Sequence, residues 1–143
     1  MVYIIGAGPG DPELITVKGQ RLLKEADVII YAGSLVNPAL LDYAKADCEI
    51  YNSASMTLGE VIETITAAEQ EGKMTVRLHT GDPAIYGAIQ EQMDELSRRN
   101  IEYTVIPGVS SFLATAAALK QEYTLPEISQ TVIITRNEGR NSL

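Results

Sequence analysis

The chain has 143 residues, of which 45% are hydrophobic and 21% charged, with a formal net charge of -8. That size and balance predict an ordinary soluble globular protein with a real core, and the acidic excess argues against nucleic acid as a partner, because phosphate-backbone binding needs clustered Lys and Arg. No apolar run approaches the roughly 20 residues of a membrane-spanning helix, and Met1-Val2-Tyr3-Ile4-Ile5 lacks the basic start and cleavage site of a secretory signal, so a cytoplasmic protein without membrane contact is expected.

Along the chain, apolar runs at residues 2–5, 27–32, 49–51, 75–79 and 103–106 read as strands with helical segments between them. The series predicts an α/β fold: a mostly parallel five-stranded sheet with helices on both faces. Cys48 is the only cysteine, which excludes an intrachain disulfide and a cysteine-rich metal site and leaves a small buried hydrophobe; no metal is expected. Thr57-Leu58-Gly59-Glu60 has capping-box spacing, Val61, Ile65 and Ala68 fall on one helical face, and Gly72 stops that helix. The next helix is predicted to start at Asp82 as cap with Pro83 in its first position, to carry the stripe Ile85, Ile89, Met93 and Leu96, and to end at Asn100. An alanine-rich helix is expected over about residues 111–120. Residues 131–135 then read as a strand that would need a partner. The expected organisation is an amino-terminal domain over 1–120, with 121–143 as an interdomain linker and the first strand of a second α/β domain that is largely missing.

Three loops follow strands: Gly6-Ala7-Gly8-Pro9-Gly10-Asp11-Pro12, Thr80-Gly81-Asp82-Pro83 and Pro107-Gly108-Val109-Ser110-Ser111. In a parallel sheet, loops after strands share the rim where ligands bind. Their glycines would let a ligand approach the backbone, and their prolines leave few amides free to donate. A dinucleotide fingerprint fails, because Asp11 stands where the third glycine belongs; a phosphate-cradling loop fails, because Met74 follows Gly72-Lys73 without the upstream glycine. NAD and ATP chemistry are thus disfavoured. Asp82 could cap a helix, balance a cationic ligand, or do both.

The run Tyr3-Ile4-Ile5-Gly6-Ala7-Gly8-Pro9-Gly10-Asp11-Pro12-Glu13-Leu14-Ile15-Thr16-Val17-Lys18-Gly19, followed by Leu78-His79-Thr80-Gly81-Asp82-Pro83 and Pro107-Gly108-Val109-Ser110-Ser111, resembles the tetrapyrrole (corrin/porphyrin) methylase family across nearly the whole chain. The stretches Tyr31-Ala32-Gly33-Ser34-Leu35-Val36, residues 80–92 and residues 129–136 are most similar to members that methylate precorrin-4 or cobalt-precorrin-4 at C11. Uroporphyrinogen methylases typically carry Asp-Arg where this chain has Ala32 and Gly33, a departure that points away from that substrate. The resemblance implies S-adenosyl-L-methionine as cofactor, S-adenosyl-L-homocysteine as its product, a small-molecule tetrapyrrole substrate, cobalamin biosynthesis and a homodimer. Carried over motif by motif, it implies cofactor contacts at Pro9, Thr80, Gly81, Asp82, Ile85, Ser110 and Ser111.

Methyl transfer from a sulfonium needs placement of a nucleophilic carbon rather than a nucleophilic residue, so no catalytic residue is assigned. His79 reads as a structural strand histidine with a satisfied hydrogen bond. Tyr31 and Tyr86 could border the substrate or pack in the core. Arg77, Arg136 and Arg140 could pair with substrate carboxylates or be solvated surface charges. The alternatives are a noncatalytic module of the same fold and a methylase for another tetrapyrrole position, for ribosomal RNA ribose or for the diphthamide precursor; the acidic balance disfavours RNA.

Overall fold

The computed structural model describes residues 1–137 and divides the chain into two compact units, the first being Met1–Ser111. Its strands are β1 (Val2–Gly6), β2 (Val28–Tyr31), β3 (Glu49–Asn52), β4 (Thr75–His79) and β5 (Tyr103–Ile106). All pair in parallel in the order β3-β2-β4-β1-β5. The helices are α1 (Val17–Glu25), α2 (Leu58–Gln70) and α3 (Ile89–Arg98), with α4 (Ser111–Leu119) opening where the second unit begins.

Both faces of the sheet are covered, which is why its central strands read as unbroken apolar runs. On β2, Ile29 lies in one cluster with Leu22, Leu23 and Ala26 of the α1 side, while Val28 and Ile30 lie in the other with Val61, Ile62 and Ile65 of α2 and Leu96 of α3. Pleating alone achieves this division. Thr16 caps α1 by accepting from Gly19 N at 2.9 Å, and Gly19 keeps the helix close to the sheet, since an added Cβ would sit 3.2 Å from Ile5 Cγ2. α2 has both halves of the expected capping box: Glu60 N donates to Thr57 Oγ1 at 3.2 Å and Thr57 N to Glu60 Oε2 at 3.0 Å. The connection from β2 to β3 is made by 3-10 turns, Gly33–Leu35 and Pro38–Tyr43, in place of an α-helix.

Two expectations are corrected. α3 does not start at Asp82: residues 83–88 form a turn in which Tyr86 and Ala88 are left-handed, with φ of 55° and 51°, and the helix begins at Ile89. Left-handed residues cannot propagate a right-handed helix, so Ile85 leaves the apolar stripe and is exposed, while Ile89 and Leu96 are buried. Residues 131–135 have no strand pairing, and Val132, Ile133 and Ile134 are exposed; a strand exists only through a ladder, and none of the described residues supplies the partner.

Within the second unit, the Phe112 and Tyr123 rings stack at 6.3 Å between centroids, and the Tyr123 hydroxyl donates to the Phe112 carbonyl. Leu125 and Ser129 close a tight turn by an antiparallel bridge.

Candidate functional site

The loops after β4, β1 and β5 leave adjacent strands at their carboxyl ends. Ala7 N donates to the His79 carbonyl at 2.6 Å. Gly8 and Gly81 then exchange backbone bonds, Gly8 N to Gly81 O at 3.2 Å and Gly81 N to Gly8 O at 2.8 Å. Gly108 N donates to Asp82 Oδ2 at 2.9 Å. The first and second loops are thus joined backbone to backbone, and the second is tied to the third through one carboxylate.

The glycines serve that junction rather than an approaching ligand. An added Cβ on Gly6 would lie 2.5 Å from Gly81 O, and one on Gly108 would lie 2.2 Å from Gly81 O and 2.8 Å from Gly6 Cα. All are backbone atoms, which no rotamer change can move. Gly81 faces the third loop, with Ser110 Cα 3.6 Å and Ser111 N 3.9 Å from its Cβ position. Gly10 is different, because nothing lies within 4 Å of its Cβ position.

Asp82 does not cap α3. Its Oδ1 accepts from Ala84 N at 2.8 Å, closing a turn on its own segment, while Oδ2 holds Gly108. Among the described residues no cation pairs with this carboxylate, a position suited to a cationic ligand. Pro9 follows Gly8 and is half-buried, Thr80 is half-buried, Gly81 and Ser110 are buried, and Ser111 is exposed at the first turn of α4. Ile85 is 40% exposed, an apolar side chain presented just past the Asp82 turn.

Asn37 escaped the sequence reading. Its Nδ2 donates to the Gly10 carbonyl at 2.7 Å and its Oδ1 accepts from Ala39 N at 3.0 Å, fixing the first loop to the segment after β2. The signal was the Asn37-Pro38 dipeptide, a turn initiator.

Arg77 is neither a substrate clamp nor a solvated charge. It is 6% exposed, and Nε donates to Gln92 Oε1 at 3.0 Å and Nη1 to the Ile30 carbonyl at 3.1 Å; burial pulls its pKa down to about 10. Arg136 is exposed in the second unit, and Arg140 lies outside the described residues. Tyr31 packs on the α1-side core, and Tyr86 is exposed. His79 is 4% exposed, and its Nε2 has no partner among the described residues, against the expected satisfied hydrogen bond. Burial, reinforced by the Arg77 charge, drives its pKa down to about 3, so the imidazole is neutral at physiological pH. Burial likewise raises the pKa of the Cys48 thiol, as befits an inert half-buried cysteine.

A doubly covered parallel sheet with its glycine loops fused at one rim is an open α/β domain, the class in which ligands bind outside the carboxyl ends of the strands. Residues 1–143 match the family of tetrapyrrole (corrin/porphyrin) methylases, and the chain belongs to that family. It is 64% identical over 142 residues to a cobalt-precorrin-4 C(11)-methyltransferase of Methanocaldococcus jannaschii, an alignment covering 99% of this chain and 55% of the relative. The X-ray structure of a cobalt-precorrin-4 methyltransferase superposes with a TM-score of 0.94 at 54% identity, covering 97% of this chain and 58% of the other. A uroporphyrin-III C-methyltransferase from Thermus thermophilus, solved in complex with S-adenosylhomocysteine, gives 0.69 at 38% identity over 80% of this chain and 47% of the other. The chain spans about half the length of these relatives. No helix among the described residues is long and apolar enough to cross a membrane.

Proposed function

We propose that the chain is the cofactor-side portion of an S-adenosylmethionine-dependent C-methyltransferase that acts at C11 of cobalt-precorrin-4 or precorrin-4 in cobalamin biosynthesis. One observation carries the reading: the loops after β1, β4 and β5 are locked together through Gly8, Gly81, Asp82 and Gly108, in a chain whose 64% identical relative is named for that reaction. Pro9, Thr80, Gly81, Asp82, Ile85, Ser110 and Ser111 would hold the cofactor. The donor set fits it: an uncompensated carboxylate suits a sulfonium ligand, hydroxyls and backbone groups suit its polar ends, and Ile85 suits its flat apolar part. The Thermus relative solved with S-adenosylhomocysteine supports the same cofactor.

When bound, S-adenosylmethionine supplies an electrophilic methyl group on a positive sulfur. The residues of this chain orient and select. The fused loops hold the rim rigid, so that a ligand's position is fixed before the substrate arrives. Asp82, tied at both oxygens, cannot swing away. His79 is uncharged and buried, and so does not supply a proton. A cytoplasmic location, a homodimer and a domain boundary near residue 120 belong to the same proposal.

The test is calorimetric titration of S-adenosylhomocysteine and S-adenosylmethionine into the 143-residue chain and into a chain of the relatives' full length, followed by product analysis with cobalt-precorrin-4. Binding by the full-length chain with methylation at C11 is expected, and sedimentation reads the dimer. Cofactor binding without methylation would favour a noncatalytic module; absence of binding in both chains would end the cofactor reading.

A further inference from the structure

Arg77 stands on β4 as a buried cation that none of the described ion pairs includes. Its Nε bond at 3.0 Å fixes the Gln92 amide, because the flipped amide would set donor against donor at Arg77 and acceptor against acceptor on its other side. That other side is Ala88: Gln92 Nε2 donates to the Ala88 carbonyl at 3.2 Å. Ala88 is a residue that needs holding. It sits in the left-handed region, one residue beyond Gly87 and two beyond the equally left-handed Tyr86, and no side chain caps the start of α3 there. Gly87 is pressed so tightly into the turn that a Cβ would meet the Pro83 carbonyl at 2.2 Å. Such backbone persists only where its surroundings over-determine it. The turn it shapes lifts Ile85 out of the helical stripe and presents it, with the exposed Tyr86, just past Asp82.

We propose that Arg77 and Gln92 are positioning residues: the sheet holds Arg77, Arg77 orients Gln92, and Gln92 pins Ala88, so that the 83–88 turn keeps the shape that displays Ile85 next to the Asp82 loop. The effect on a ligand rests on the cofactor reading above; the effect on the turn does not.

Gln92→Glu separates the two halves of this chain of bonds. The carboxylate still accepts from Arg77, and adds a counter-charge, but has no proton to donate to Ala88. In the 143-residue chain, Q92E is expected to unfold at or above the parent's temperature. Amide hydrogen exchange over residues 84–89 should rise about five-fold, the value of one ordinary hydrogen bond, with β1 and β5 unchanged. S-adenosylhomocysteine should bind about five-fold more weakly by the same measure. Unaltered exchange in the turn overturns the proposal, and faster exchange with undiminished affinity overturns the positioning role. If neither this chain nor a chain of the relatives' full length binds S-adenosylhomocysteine, the cofactor reading fails by itself and the exchange measurement alone decides the rest; if only the longer chain binds, the affinity comparison is made in it. Should Q92E unfold early, Arg77→Met with Gln92→Met replaces the buried network by apolar side chains of similar length; the same faster exchange is expected there, and native exchange again overturns the proposal.

Discussion

Gly108→Ala is the most direct probe of the loop junction. The new methyl would sit 2.2 Å from Gly81 O, 2.8 Å from Gly6 Cα and 3.0 Å from Gly6 C, against an ordinary contact of roughly 3.5–4 Å. Every obstructing atom is backbone in two other loops, so relief requires the third loop to withdraw by more than an ångström. Withdrawal breaks the 2.9 Å bond from Gly108 N to Asp82 Oδ2, a charge-assisted bond whose loss costs about 1.5–3 kcal/mol. Remaining in place costs overpacking of about 1–3 kcal/mol. Either route predicts a loss of about 1–3 kcal/mol, measurable as a shift of the urea midpoint at unchanged m. Gly59→Ala is the internal control, because its nearest neighbour is Thr57 Oγ1 at 3.8 Å and it lies inside α2; this change should stabilise by about 0.5–1 kcal/mol. If G108A unfolds within about half a kcal/mol of the parent, the interlocking of the three loops is refuted; a looser rim would also have to bind cofactor normally.

Asp82→Asn removes the charge and puts an amide donor against one of two backbone N–H groups, Ala84 N or Gly108 N. It should cost about 1–3 kcal/mol of stability and weaken binding of the sulfonium cofactor more than that of S-adenosylhomocysteine, whose sulfur is uncharged, whereas equal weakening would leave Asp82 as a tether alone. His79 is the sole histidine, and its folded pKa of about 3 lies below the unfolded value of 6.5. Its contribution to stability is therefore complete above pH 6.5 and is lost as the unfolded state takes up a proton below it, by about 1.4 kcal/mol between pH 7.5 and 5.5. Unfolding of parent and His79→Phe at the two pH values checks this, the variant being expected to lose that component of the slope. Asn37→Ala frees the Gly10 carbonyl and Ala39 N together, and should lower stability by about 1 kcal/mol; an unchanged midpoint would show that solvent replaces both bonds.

The strands were legible in the sequence because a doubly covered parallel sheet buries both sides of every central strand. The run Val28-Ile29-Ile30 therefore has no competing helical reading. The α2 capping box was equally legible, since its two bonds are local and its residues three apart. Asp82-Pro83 misled for the opposite reason. The pair has the chemistry of a helix start, but one carboxylate oxygen is claimed by Gly108, 26 residues away, and the backbone between Pro83 and Ile89 takes two left-handed steps that no local propensity announces. Arg77 was misjudged on the same ground. Arginine is rarely buried, and the acceptors that make it tolerable, Ile30 O and Gln92 Oε1, are 47 and 15 residues distant. The three loops were found as motifs, yet the purpose of their glycines was visible only once the Cβ positions could be set against neighbouring backbone.

Charge sorts the roles of the first unit. Arg21, Lys45, Lys73, Arg98 and Arg99 are engaged by Glu25, Asp27, Glu49 and Glu71, and Glu95. Lys24 lies over the Tyr43 ring at 5.7 Å, and Arg77 is buried under α3. Among the described residues of that unit, Lys18, in the first turn of α1, is the exposed Lys or Arg left without a carboxylate or ring partner. A macrocycle bearing several carboxylates would find little compensating charge on such a rim, whereas a cationic sulfonium beside Asp82 needs none. On this reasoning the fused loops suit the proposed cofactor better than the proposed macrocycle. Reversing a rim charge by Lys18→Glu should then leave S-adenosylhomocysteine affinity within about two-fold, the scale of an exposed charge at physiological salt. A ten-fold loss in that titration would mean that the first unit recognises its ligand through positive charge after all.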